Sequence, residues 1–110
     1  MSEVSCKELG TLLGCTEAYI LHDSAVPDWV RKELAVEFTE IIDRLHRLDD
    51  EQRVQFFHVA KSTLILSDDD EYWTAYVAFI TSVRHYMTDL SPHTWEKVVA
   101  CRGDLSRFTS

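Results

Sequence analysis

Proline and glycine are scarce, at two and three in 110 residues. Both punctuate tight turns, so their scarcity argues against an all-β sandwich and against a low-complexity disordered chain. Basic residues are also few. Eleven Lys and Arg stand against 19 Asp and Glu, giving a formal charge of −8 and a pI near 4.9. That balance disfavours nucleic acid as a partner, because affinity for phosphate backbones rests on Lys and Arg. No run of about 18 apolar residues is present, which excludes a membrane-spanning helix. Met1-Ser2-Glu3-Val4 lacks the basic-then-apolar pattern of a signal peptide. The three cysteines, Cys6, Cys15 and Cys101, are an odd number and form no Cys-x-x-Cys pair. The expectation is therefore a cytoplasmic, reducing environment without a disulfide framework.

What is present suffices for one core: 45% of the residues are hydrophobic. The patterning predicts an all-α fold, a compact antiparallel bundle of four to five helices. It forms a single domain over 1–110, with a loosely held tail over about 104–110. The first helical segment spans about Ser5 to Leu21 and opens on a capping-box pattern, Ser5-Cys6-Lys7-Glu8. Gly10 and Gly14 each cost about 1 kcal/mol relative to alanine, which predicts a break near Gly14 and a second short helix from Thr16.

Pro27 and Asp28 suit the first turn of the next helix. Val30, Leu34, Phe38, Ile41, Leu45 and Leu48 then follow in steps of three and four, one continuous stripe. Glu33, Glu37, Glu40, Arg44 and Arg47 are expected on the opposite face, with Glu40–Arg44 and Asp43–Arg47 as ion pairs. A third helix starts at the capping pattern Asp49-Asp50-Glu51-Gln52 and ends near Ser67. A fourth opens at Asp68-Asp69-Asp70-Glu71 and runs to about Thr88. It carries two apolar stripes: Tyr72, Tyr76, Phe79, Val83 and Tyr86, and Trp73, Val77, Ile80 and Met87, the latter interrupted by Arg84. An apolar arc so wide belongs to a central helix or to an interface. The fifth helix is capped by Ser91, has Pro92 in its first turn, turns Trp95, Val98 and Val99 inward, and stops at Gly103.

Chemistry-bearing motifs are sparse. The two acid clusters lack the alternate-position ligands and bend glycine of a calcium loop and are explained as helix starts. Asp43 and His46 are three apart, and His85 is the further histidine that a metal-dependent helical enzyme would use; a second matching motif is missing. No Gly-x-Ser-x-Gly elbow, phosphate-cradling glycine loop or dinucleotide fingerprint occurs, so no catalytic residues and no cofactor are assigned.

One segment, Leu9-Gly10-Thr11-Leu12-Leu13-Gly14-Cys15-Thr16-Glu17-Ala18-Tyr19-Ile20, resembles the helix-turn-helix of repressor-type regulators. Gly10, Gly14, Cys15 and Ile20 match the small, turn and apolar positions of that family. The resemblance implies a DNA-binding transcriptional regulator using residues 6–22, with Thr16–His22 as recognition helix. That stretch carries Glu17 and no Arg or Lys, unlike a helix that reads bases and phosphates.

The remaining signal is aromatic, at 11%. Surplus ring-bearing surface at helical spacing marks an interface. The reading favoured by the sequence is a non-catalytic regulatory protein that sterically inhibits another protein: an anti-activator of a transcription factor, an immunity protein or a phage-type inhibitor. Its partner is expected to be basic, such as a transcription factor or a toxin. Partner binding is assigned to Tyr72, Tyr76, Phe79, Val83 and Tyr86, and homodimer packing to Leu34, Phe38, Ile41 and Leu45.

Overall fold

The computed structural model describes residues 4–61 and 69–108. Over these the chain is helical: α1 (Cys6–His22), α2 (Asp28–Asp43), a 3₁₀ turn (Leu45–Arg47), α3 (Asp50–Ala60), α4 (Asp70–Thr88) and α5 (Pro92–Ser106). This is the all-α bundle anticipated from the periodicity. Helix α4 packs against both α2 and α5, α1 packs against α2, and α3 touches α1. The radius of gyration, 13.3 Å, matches a compact body of this length, about 13 Å for 100 residues.

Local chemistry sets the helix starts. Ser5 Oγ accepts from the Glu8 amide at 3.1 Å. Asp49 Oδ1 accepts from the Gln52 amide at 2.8 Å, and Gln52 Oε1 accepts from the Asp49 amide at 2.9 Å, a complete capping box. Ser91 and Thr94 form a second one ahead of α5.

Three boundaries differ from expectation. Helix α1 does not break: it runs through Gly10 and Gly14 without interruption. Leu9, Leu13 and Ile20 are all buried on one side of it, and burying such side chains contributes about 1.5–3 kcal/mol each, more than the glycines cost. Helix α2 stops at Asp43, and the stripe continues through the 3₁₀ turn. This tighter turn keeps both Leu45 and Leu48 buried while His46 and Arg47 face outward. The fifth helix does not stop at Gly103. It continues to Ser106 because Leu105 is fully buried, and beyond it Phe108 sets its ring edge-on to Tyr72 at 5.6 Å. Val99, expected inside, is exposed on α5. The expected end of the third helix near Ser67 lies outside the described residues.

The α4 rings form a continuous ladder. Tyr72 and Trp73 meet at 4.9 Å, Trp73 and Tyr76 at 5.9 Å, and Tyr76 and Phe79 at 6.4 Å between centroids. Arg84, which interrupts the second stripe, reaches across to α2, where its Nε donates to Glu37 Oε2 at 2.8 Å. A polar residue on the buried side of α4 is thus matched by an acid that the helix pattern alone had placed on the solvent face.

Candidate functional site

The residues that the sequence assigned to partner binding lie in the core. Tyr72, Tyr76, Phe79, Val83 and Tyr86 are at most 3% exposed. So are Leu34, Phe38, Ile41 and Leu45, the expected self-association set. The correction has a simple cause. With α2 on one side of α4 and α5 on the other, both stripes of α4 and the stripe of α2 are consumed inside a single chain. Among the described residues, the large apolar side chains left outside are Tyr19, Trp29, Val36 and Val99. They are dispersed over α1, α2 and α5, as single apolar residues on ordinary surfaces are.

The helix-turn-helix expectation is also corrected, because residues 6–22 form one helix with no turn at Gly14. His46 and His85 are exposed on separate elements. Among the described residues no group of three or more His, Cys, Asp or Glu is arranged to hold a metal ion. Cys6 and Cys15 are exposed and Cys101 is half-buried, all as free thiols. Among the described residues no helix is long and apolar enough to cross a membrane.

Four lysines, Lys7, Lys32, Lys61 and Lys97, are exposed, and the arginines are used differently. Arginines are turned onto the protein itself, mostly onto backbone carbonyls at helix ends. Arg31 Nη1 donates to Asp23 O at 2.9 Å, and Arg47 Nη1 to Met87 O at 2.8 Å. Arg53 ties two segments together, donating from Nε to Val4 O at 2.9 Å and from Nη1 to Leu48 O at 2.7 Å. Arg102 Nε reaches Val59 O at 3.1 Å, linking α5 to α3. Arg31, Arg44 and Arg53 also pair with Asp28, Glu40 and Asp50. The expected Asp43–Arg47 pair does not form, since Arg47 is committed to the end of α4. Glu33, Asp43, Glu51, Asp89, Glu96 and Asp104 are by contrast exposed and make no ion pair among the described residues. The described surface thus carries exposed acids and exposed lysines together, with acids in excess as in the composition.

Several shallow concavities open on the described residues, among them one of about 300 Å³ beside Arg84, His85 and Asp89. A shallow groove of about 520 Å³ runs between α4 and α5 along Thr74, Ala75 and Ala78, with Asp70, Glu71, Asp104 and Arg107 on its edges. A cleft of about 330 Å³ opens where the start of α3 faces the α4–α5 turn. Asp49, Glu51 and Gln55 line its α3 side, and Tyr86, Leu90, Pro92 and Trp95 line the other. Tyr86 and Trp95 form its floor, with ring centroids 5.0 Å apart and planes inclined by 53°. Burial raises the Tyr86 phenol above the ordinary tyrosine value, and the Asp49 carboxylate adds to the effect. The apolar gap between α1 and α4 is only about 10 Å³, room for about one water and no ligand.

No family model matches the sequence, and no curated protein or solved structure matches it with significance.

The cleft was not legible in the sequence. Asp49-Asp50-Glu51 is fully explained as a helix start, and nothing in residues 86–95 announces that these acids lie opposite. The one available hint was Trp95, an aromatic residue one turn into a helix whose inward position is already served by Val98.

Proposed function

We propose that the protein is a small, acidic, non-catalytic regulatory protein of the cytoplasm that inhibits another protein by occupying its basic surface. The forms proposed are an anti-activator of a transcription factor, an immunity protein or a phage-type inhibitor. The observation that carries the reading is the acid surplus on the surface: Glu33, Asp43, Glu51, Asp89, Glu96 and Asp104 are exposed and outside the ion pairs of the described residues, while most arginines engage the chain's own carbonyls and carboxylates. Such a field steers encounter with a cationic partner and loses its advantage as salt screens it. The three free thiols are what supports a reducing compartment. The mechanism differs from the apolar-helix contact expected from the sequence, since those stripes are internal. A homodimer would have to use residues other than Leu34, Phe38, Ile41 and Leu45, and sedimentation equilibrium measures it.

The test is affinity capture from native cell extract with the wild-type chain and with Glu33→Gln/Asp43→Asn/Glu96→Gln. These side chains are exposed and unpaired, so the variant keeps its helical circular dichroism. The expected result is a basic protein captured by the wild type, released by raised salt and lost by the variant. Equal capture by both forms, or saturable binding of duplex DNA in place of protein, overturns the proposal.

A further inference from the structure

The α3/α4–α5 cleft has features that acid clusters at helix starts do not have. Tyr86 is 3% exposed and lines the cleft. Its ring belongs to the core and meets the Trp95 ring, Asp49 lies near enough to act on its phenol, and its hydroxyl makes no hydrogen bond among the described residues. Yet no fully buried polar side-chain atom among the described residues lacks a partner. The small exposed part of Tyr86 is therefore its hydroxyl, opening into the cleft. That hydroxyl faces a cleft whose lining mixes polar and apolar side chains, where a ligand group can meet it.

The surroundings specify that group. Asp49 uses Oδ1 for the Gln52 amide and keeps Oδ2 available. Glu51 and Gln55 are four residues apart, one turn of α3, and both are exposed. These groups supply acceptors and negative charge, and among the described residues no Lys, Arg or His lines the cleft to oppose a cation. Half-buried Trp95 supplies a ring face, the preferred platform for a cation. At about 330 Å³ the space is at the low end of ligand pockets, about 300–1,000 Å³, so it suits one side chain rather than a cofactor.

We infer that this cleft receives a single arginine side chain from the protein partner: its guanidinium stacks on Trp95, donates to Asp49, Glu51 and the Tyr86 hydroxyl, and its aliphatic stem lies along Leu90 and Pro92. Arginine is favoured over lysine because a flat group with five donors matches a ring face flanked by several separate acceptors, whereas an ammonium is a compact, strongly hydrated point charge. The inference rests on the charge-based reading above and names the group that reading would engage.

The probe is the tripeptide acetyl-Gly-Arg-Gly-amide, titrated into the isotopically labelled full chain. The citrulline and lysine analogues serve as comparisons, because citrulline keeps the shape and loses the charge. Expected are saturable shifts of the Trp95 indole N–H, the Gln55 side-chain amide and the Tyr86 ring, at most weak effects from the lysine peptide and none from citrulline. Glu51→Gln and Asp49→Asn should each weaken the arginine peptide about two- to fivefold. Asn caps a helix as well as Asp does, so the second variant stays folded. Tyr86→Phe, which keeps the ring, should weaken it also. Shifts spread evenly over the acidic exterior, equal responses to arginine and citrulline, or a lysine peptide that binds as well as arginine would each overturn the assignment. The capture experiment with the Glu33/Asp43/Glu96 variant does not touch this cleft, so failure of one test leaves the other readable.

Discussion

Arg47, on the 3₁₀ turn, donates from Nη1 to the carbonyl oxygen of Met87 at 2.8 Å and to that of Thr88 at 3.3 Å. The last carbonyls of a helix have no partner within it, and here a side chain 40 residues away in sequence supplies one. The same contact anchors the α2–α3 connection to the central helix. Arg47→Met removes the donor and leaves the stem. It should destabilise the fold by about 1–3 kcal/mol, read as a lower urea midpoint with unchanged slope. Arg47→Lys should recover only part of the loss, because an ammonium is a compact, strongly hydrated charge that gives up more hydration to reach the carbonyls.

Tyr76 discriminates the core from a surface stripe. It is fully buried between rings of its own helix, so Tyr76→Asp places an unpaired carboxylate in the core. The cost, above about 4 kcal/mol, is comparable to the total stability of a small domain, and far-ultraviolet circular dichroism should show loss of helix. Val36→Asp, at a site 62% exposed, should leave the thermal transition nearly unmoved. A folded Tyr76→Asp monomer would show that α4 presents this stripe to solvent.

Gly14 lies within α1, and a Cβ added there meets nothing within 4 Å; the same holds for Gly103 in α5. Alanine at either position should stabilise the chain by about 0.5–1 kcal/mol, by lowering the backbone entropy lost on folding. Were residues 6–22 a helix-turn-helix, Gly14→Ala would strain the turn and lower the melting temperature instead. Differential scanning calorimetry distinguishes the two signs.

Tyr86 gives the pH dependence. Its phenol ionises above the ordinary value of 10.0, through burial first and Asp49 second. The folded state therefore holds this proton more tightly than the unfolded chain does. The associated stability is fully present below about pH 10 and is lost as pH rises through the folded value. Asp49→Asn should lower the ionisation pH of Tyr86, followed by tyrosine Cζ chemical shifts, and leave the midpoint of neutral-pH unfolding nearly unchanged.

Much of the fold could be read locally. Ser5, Asp49 and Ser91 cap the helices they were expected to cap, and α4 opens and closes where its apolar pattern begins and ends. The misreadings share one origin. Gly14 and Gly103 look like stops when judged by propensity, yet the buried Leu9, Leu13 and Leu105 carry the helices past them. Glu37 looks like a solvent-face acid until Arg84 is brought to it from 47 residues away. The cleft joins residues 49–55 to residues 86–95, a juxtaposition no spacing announces.

By itself the sequence determined that the chain is helical, where most helices start, and that the protein carries excess negative charge. Capping, dipole and side-chain period act within a few residues, so they are legible from neighbours alone. Tertiary structure decided which apolar stripes are spent inside and where the acids converge. A stripe records only that something covers it; whether the cover is another helix of the same chain depends on contacts between segments far apart in sequence. Here α2 and α5 cover α4, and Arg84 is met by Glu37 across the α2–α4 contact.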